Sequence, residues 1–412
     1  RQDCITCRVK IMDIKKILVF LFFLCSLATG YSSVNDSLKI SLITCSPGSQ
    51  VYELFGHTGL RVQDVSRNVD VVFHYGVFSF NTPHFIYRFT KGETDYSIGL
   101  ADFRDFVYNY AVRGSKVSEL PLELTAEESK RVFQALIINN MPDNRIYRYN
   151  FLYDNCATRP RNVITENLSG QIQYKDPDEK VTFRDMIHDC THNYPWLTFG
   201  IDLALGAPLD RTISYEEQMF LPDVLMDAFE DARVVKGDSV RYLSGEPVLL
   251  LAADPMHMTS ATVRPTGISP LFAASLLLSV VVIISVVEII KRRHYRIVDT
   301  VLFLIYGLVG CLLFFLMFIS THPATYPNYS GFWANPFLLI LPAIIWVKSM
   351  KKVVCYYHFI NFAVLFCLLA SWYWLPQQMN IAFLPLVLVL AVRSVTYIWV
   401  NRRKEKMAEK EI

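Results

Sequence analysis

The chain has 412 residues, 52% of them hydrophobic and 14% aromatic, with a mean hydropathy of +0.27, which is too apolar for a wholly soluble protein. Its formal charge of +2 hides a division: residues 31–266 carry 22 Lys+Arg against 31 Asp+Glu, a balance of −9, so the flanks carry +11. That acidic segment argues against nucleic acid as a partner, since phosphate backbones select basic surfaces, and its mixed composition argues against disorder.

Residues 1–30 read as an N-terminal extension and signal peptide. Met12 is followed by Lys15 and Lys16, an apolar run from Ile17 to Leu27, and small Ala28, Thr29 and Gly30 that suit a signal peptidase. An uncleaved first helix fits equally, and either version sends the next segment across the membrane. Leu24 before Cys25 is too large for a lipobox, so no lipid attachment is expected there.

Residues 31–266 form the exported domain, expected to be α+β. Ser37 to Cys45 alternates apolar and polar residues as a strand does, and His57 to Asp64 with Asp70 to Phe78 read as a hairpin. A turn centred between Val65 and Ser66 sets His57 directly opposite His74, on one face of the ladder. Thr125 to Asn139 opens with the capping pair Thr125 and Glu128 and continues at helical spacing, so helices accompany the antiparallel sheet.

The stretch Tyr147 to Arg161, YRYNFLYDNCATRPR, leads through Asp154 and Asn155 to Cys156 near the start of a predicted helix. A thiol there feels the positive end of the helix, which lowers its pKa, although Pro160 must then lie in the first turn and the helix could begin after Cys156. Three cysteines, Cys45, Cys156 and Cys190, fall in the exported domain, an odd number that leaves at least one thiol unpaired. A Cys45 to Cys190 disulfide with Cys156 free is one arrangement open to an exported protein. A nucleophilic thiol needs a base and the base an orienting group, which is why two histidines on one ladder matter. His188, Asp189, Cys190 and His192 are metal-ligand types, but on a helix His188 and His192 share a face while Cys190 points elsewhere, and no zinc spacing is matched. No metal or cofactor is expected.

Residues 267–400 read as a transmembrane domain of about five helices, with apolar spans over 268–290, 298–320, 335–350, 353–374 and 381–400, the third the shortest. Lys291, Arg292, Arg293, Arg296, Lys348, Lys351, Lys352 and the basic tail, residues 401–412, put twelve positive charges on one side, while the loops 321–334 and 375–380 have none. Positive charge marks the cytoplasmic face, so the tail is expected in the cytoplasm and residues 31–266 in the periplasm of an inner-membrane, multi-pass protein. Arg393 lies within snorkelling reach of the cytoplasmic end, and Glu288, Asp299 and His358 also lie near it, so no buried proton relay is expected. His322, Asn328, Trp333 and Asn335 in the outer loop read as an interfacial aromatic belt with turns, with substrate contact as the alternative.

Phe55-Gly56-His57-Thr58-Gly59-Leu60-Arg61-Val62, then Phe73-His74-Tyr75-Gly76, then Asn155-Cys156 resemble the order His, polar residue, Cys of circularly permuted papain-like enzymes, the NlpC-type and lecithin:retinol acyltransferase-like proteins. With TCSPG, YDNCATRPR, WLTFGIDLALGAPLDR and the membrane spans, residues 38 to 400 resemble the Bacteroides lipoprotein N-acyltransferase (Lnb) family. The resemblance implies a permuted papain-like fold and an acyltransferase that moves an acyl chain from a membrane phospholipid, through a Cys156 thioester, to the α-amine of a diacylated lipoprotein's first cysteine. It implies His57 as base and His74 as its orienting residue, where many relatives have an amide. Asn155, Arg159, Arg161, Tyr75 and Tyr153 are the substrate-binding candidates. The arginines suit a phosphate but also salt bridges, and the tyrosines read as ordinary core, with a pocket wall as the alternative. Asp202, Gly206 and Asp210 of the later motif read as structural. A membrane-anchored cysteine peptidase or amidase acting on cell-wall peptides is the alternative reaction, and a noncatalytic receptor or scaffold the alternative without chemistry.

Overall fold

The computed structural model describes residues 38–254 and 267–408, with side chains to residue 402. The expected signal peptide, with Cys4, Cys7 and Cys25, and the last residues of the tail lie outside these.

Strands β1 (Leu38–Cys45), β2 (His57–Asp64), β3 (Val69–Val77) and β4 (Asp95–Asp102) form an antiparallel meander, extended by β5 (Val117–Pro121), β6 (Ile146–Arg148) and β10 (Val248–Leu251) in the order β10-β5-β1-β2-β3-β4-β6. A small second sheet joins β7 (Gln171–Gln173), β8 (Arg233–Lys236) and β9 (Ser239–Tyr242). The helices of this half are α1 (Phe85–Lys91), α2 (Phe103–Arg113), α3 (Ala126–Asn139), α4 (Thr158–Thr165), α5 (Phe183–Thr191), α6 (Pro195–Ala204), α7 (Tyr215–Gln218) and α8 (Pro222–Glu230). The half is α+β, as its residue periods suggest.

Alternation in β1 predicts one wet face, but both faces are covered. Ile40 and Leu42 point into a core with Val132 and Leu136 of α3 and Leu225 and Phe229 of α8, while Ile43 and Cys45 pack on Phe106 and Tyr110 of α2. Ser41 and Thr44 are therefore buried as well. The α3 start is as predicted, with Thr125 accepting from the Glu128 amide and Glu128 accepting from that of Thr125. A third core, around Phe183, Ile187, Leu209 and Phe220, holds Phe151 and Leu152 ahead of Cys156, while Ala157, Val163 and Ile164 after it join the first core.

The β2–β3 register differs from the predicted one by two residues. A 3-10 turn over Val65–Arg67, capped by Asp64 and closed by Asn68 at φ +52°, takes up the extra length, and Gly59 rather than His57 stands opposite His74. Because a strand's side-chain period is two, the shift leaves His57 and His74 on the same face as diagonal neighbours.

The membrane half contains four long apolar helices: α9 (Pro270–Lys291), α10 (Arg296–Phe318), α12 (Lys351–Ser371) and α13 (Phe383–Ala408). The third predicted span, 335–350, is not a long helix. Its prolines, Pro336 and Pro342, break it into 3-10 turns and the short α11 (Ile340–Ile344). The segment still descends alongside α10 in the opposite sense, with Tyr326 against Phe318, Trp333 against Tyr306 and Trp346 donating to Thr300. Packing against α10 supplies what the segment lacks as an isolated helix. Trp333 is consequently buried between Tyr306 and Phe383 instead of lying in a surface belt.

Arg393 does not snorkel. It is fully buried, its Nε donating to Asp299 (2.5 Å) and its terminal nitrogens to Glu288 (3.0 Å) and Ser285 (3.0 Å), with His294 bridging Glu288 and Asp299 and His358 beside them. A charged network thus joins α9, α10 and α13 inside the bundle, where the sequence suggested a scatter of charges at its edge.

The two halves are tied through backbone groups. The Gly206 amide donates to Ala324 O (2.7 Å) and the Ala207 amide to Pro327 O (2.9 Å), while Asn328 and Gln377 donate to Leu203 O and Leu205 O. A Cβ on Gly206 would lie 2.0 Å from Pro327 O, so this approach requires glycine. Buried Arg184 binds Asp202 (2.6 Å), Asp210 (2.7 Å) and Gly206 O (3.0 Å), and Asp202 in turn accepts from Asn380 (2.8 Å) ahead of α13.

Candidate active site

Cys156 is placed by a short loop whose ends, Asn150 and Asp154, exchange two backbone hydrogen bonds of 2.9 Å. Asn155 then locks the following turn. Its side-chain oxygen accepts from the Ala157 and Thr158 amides (2.8 and 2.9 Å), and its nitrogen donates to Phe151 O and Phe220 O. Every polar atom of the buried Asn155 amide is used, and these bonds fix the turn that carries the thiol.

The helix begins at Thr158, two residues past Cys156, with Pro160 in its first turn. The thiol is thus outside the helix, and burial pushes its pKa up to about 11, against hydrogen bonds from the Thr58 and Cys156 amides that act the other way. The expected lowering by the helix is overridden by desolvation.

His57, at the first position of β2, and His74, on β3, meet through Nε2 and Nδ1 at 3.2 Å. Burial lowers both, His57 to about 3 with help from the nearby positive charges of His74 and Arg113, and His74 to about 4. Tyr110 stacks on His57 and Phe106 meets the edge of His74, and these α2 aromatics are site residues that the sequence did not single out. Gly76, at φ +90°, leaves room above the thiol, since a Cβ there would stand 3.7 Å from that of Cys156.

His57, Gly76, Asn155 and Cys156 line one end of a cavity of about 490 Å³ whose other walls are almost all aromatic, among them Tyr52, Phe78, Phe85, Phe89, Tyr149 and Phe220. Tyr75 borders it too, buried and bonded through its hydroxyl to Asn139 (2.8 Å). The other candidates lie apart from the cavity wall. Tyr153 packs on Phe183. Arg159 is held by both oxygens of Asp154 and lies 3.6 Å over the Tyr147 ring, and Arg161 is bonded to Glu216 O and Asn162.

Cys45, Cys156 and Cys190 are all free. Cys45 belongs to the core under α2 and Cys190 to that around Phe183, so the disulfide considered from sequence does not form. His188 binds Asp202 (2.8 Å), and among the described residues no three ligand-type side chains converge as a metal site would need.

Residues 31–189 match the model of the Lnb N-terminal periplasmic domain, and residues 262–405 that of the Lnb transmembrane domain. The chain belongs to the Lnb family. As in the Lnb layout, an α+β periplasmic domain precedes a helical membrane domain, which makes this an inner-membrane protein. No curated protein and no solved structure matches the chain at a significant level.

Proposed function

We propose that this Lnb-family chain is a lipoprotein N-acyltransferase that uses Cys156 as nucleophile and His57 as base. The observation that carries the reading is the aromatic cavity: the thiol and the imidazole line a chamber whose walls are mostly apolar rings, which suits an acyl chain better than a peptide. The order His57, His74, Cys156 along the chain supports a permuted papain-like active site.

In the first half-reaction the Cys156 Sγ–H proton passes to His57 as sulfur attacks the ester carbonyl of a phospholipid. The carbonyl–oxygen bond then breaks, and the departing lysophospholipid alkoxide takes the proton from His57. In the second, the α-amine of a diacylated lipoprotein attacks the thioester, the carbon–sulfur bond breaks, and the amine's surplus proton returns to the thiolate through His57. The Cys156 and Thr58 amides, close to sulfur, are donors suited to the negative charge that develops beside it. Arg159 and Arg161, already partnered, fit positioning of the loop and helix better than phosphate binding.

With the catalytic domain in the periplasm, the ends of α9 and α13 away from it, and the basic tail, lie in the cytoplasm. Deleting the protein should leave lipoproteins with a free α-amine by mass spectrometry, and wild type but not Cys156→Ala should restore the N-acyl mass. Unchanged N-termini on deletion, with altered cell-wall fragments, would sink this reading and favour the peptidase.

A further inference from the structure

Helix α1, FIYRFTK, is amphipathic in an unusual sense, for both of its sides are apolar. Phe85 and Phe89, one turn apart, face the chamber, while Ile86 is 80% exposed and Tyr87 56% exposed. Its charges are neutralised locally, Arg88 by Asp95 (2.7 Å) and Lys91 by Glu93 (2.5 Å). Together with exposed Phe80 and Phe89 in the same segment, Ile86 and Tyr87 present apolar surface of the kind that marks a membrane or partner contact.

What adjoins them is the membrane span α10. The Tyr87 ring lies 6.4 Å from that of Phe315, inside the apolar part of α10; the Thr321 amide donates to Lys91 O (2.9 Å), and His322 Nε2 to Phe89 O (2.6 Å). These contacts hold α1 level with the last turn of the span, where Phe314, Phe318 and Ile319 are exposed as lipid-facing residues are. Tyr52, Phe80 and Phe89, each about half exposed or more, border the chamber on this side.

We propose that α1 lies in the periplasmic leaflet with Ile86 and Tyr87 in lipid, and that the mouth beside it admits a phospholipid acyl chain sideways from the bilayer to Cys156. The route rests on the acyltransferase reading, whereas the depth of α1 does not. An interfacial helix that is also a chamber wall lets a chain pass from lipid to aromatic wall without crossing water.

The test uses the full-length protein in nanodiscs of phosphatidylethanolamine and phosphatidylglycerol. A nitroxide on Ile86→Cys, in a Cys156→Ser background and corrected for label on the parent, should be relaxed more by oxygen than by a water-soluble nickel chelate. One on Val65→Cys, at the remote β2–β3 turn, should show the reverse. A water-exposed label at Ile86 overturns the proposal. In parallel, Ile86→Asp/Tyr87→Asp should lower phospholipid acylation of Cys156, read by intact mass, by about tenfold or more, the scale of losing burial of one large apolar side chain. Alkylation of Cys156 by iodoacetamide should stay at the wild-type rate, which shows the fold intact. Equal acylation in the two proteins overturns the route. No acylation in wild type, with Ile86 in lipid, removes the acyltransferase reading and leaves the insertion of α1 standing.

Discussion

His57 Nε2 and His74 Nδ1 stand 3.2 Å apart, so one of these nitrogens carries the shared proton and the other accepts it. That contact engages one nitrogen of His57; under the proposed chemistry the other would serve the thiol and His74 would be a positioning residue. His57→Gln should lower acyl transfer by roughly 10²–10⁴-fold, the range for a lost general base. His74→Leu should lower it less, and His74→Asn should recover part of the loss because an amide can still orient the ring. Equal rates for His74→Leu and His74→Asn would remove the orienting role.

With His57 lowered to about 3 and Cys156 raised to about 11, the resting pair is neutral thiol and neutral imidazole at pH 7. Alkylation of Cys156 by iodoacetamide should therefore climb about tenfold per pH unit between 7 and 9, as the thiolate fraction does well below its pKa. A rate already at its plateau near pH 5 would reveal a thiolate–imidazolium pair instead.

The same shifts set a stability window. Both histidines titrate near 6.5 when unfolded and well below that when folded, so their contribution is present above about 6.5 and is lost as pH falls toward 4 and then 3. The thiol works in the other direction: its contribution is present below about 9 and fades as pH rises toward 11. Thermal melts in detergent should show the acid limb flattened in a His57→Phe/His74→Leu variant. An unchanged acid limb would mean that other groups carry it.

Arg184→Met should destabilise the protein by about 3–5 kcal/mol, because Asp202 and Asp210 lose the guanidinium between them and Asp202 keeps only His188 and Asn380. The triple change with Asp202→Asn and Asp210→Asn should recover much of that in thermal or denaturant unfolding. Failure to recover would assign the loss to packing.

Arg393→Met should likewise loosen the membrane bundle, since Glu288 and Asp299 then face each other without a cation other than His294. Arg393→Lys keeps the charge but not the forked geometry and should fall between. Limited proteolysis or thermal aggregation in detergent reads the order.

Much of this was legible locally. Alternation and turns located β1 to β3, the Thr125–Glu128 pair located α3, and the His57, His74 and Cys156 stretches stood out as residue types needed for acyl chemistry. Distances along the chain limited the rest. The β2–β3 register depended on Asn68 taking a left-handed conformation, which Ser66-Arg67-Asn68 permits but does not demand. Arg393 looked like an edge residue because Asp299 and Glu288, about a hundred positions away, are not visible as its neighbours. Pro336 and Pro342 stood in the sequence within the third predicted span, but its apolar run outweighed them there and the break appears only in the structure. The aromatic wall to which α1 contributes, and the α2 rings packed on the two histidines, had no motif at all, since scattered Phe and Tyr carry no spacing that marks a site.

The hydrogen bonds from Gly206 to Ala324 and from Ala207 to Pro327 join main chain to main chain across the two halves, so side-chain rotations cannot relax them. A periplasmic domain pinned in this way cannot swing as a body over the membrane half. Under the proposed chemistry donor and acceptor must then take turns at one doorway, so the spent lysophospholipid has to clear the threshold before a lipoprotein can enter. Turnover would be governed by traffic in the plane of the bilayer as much as by the thiol.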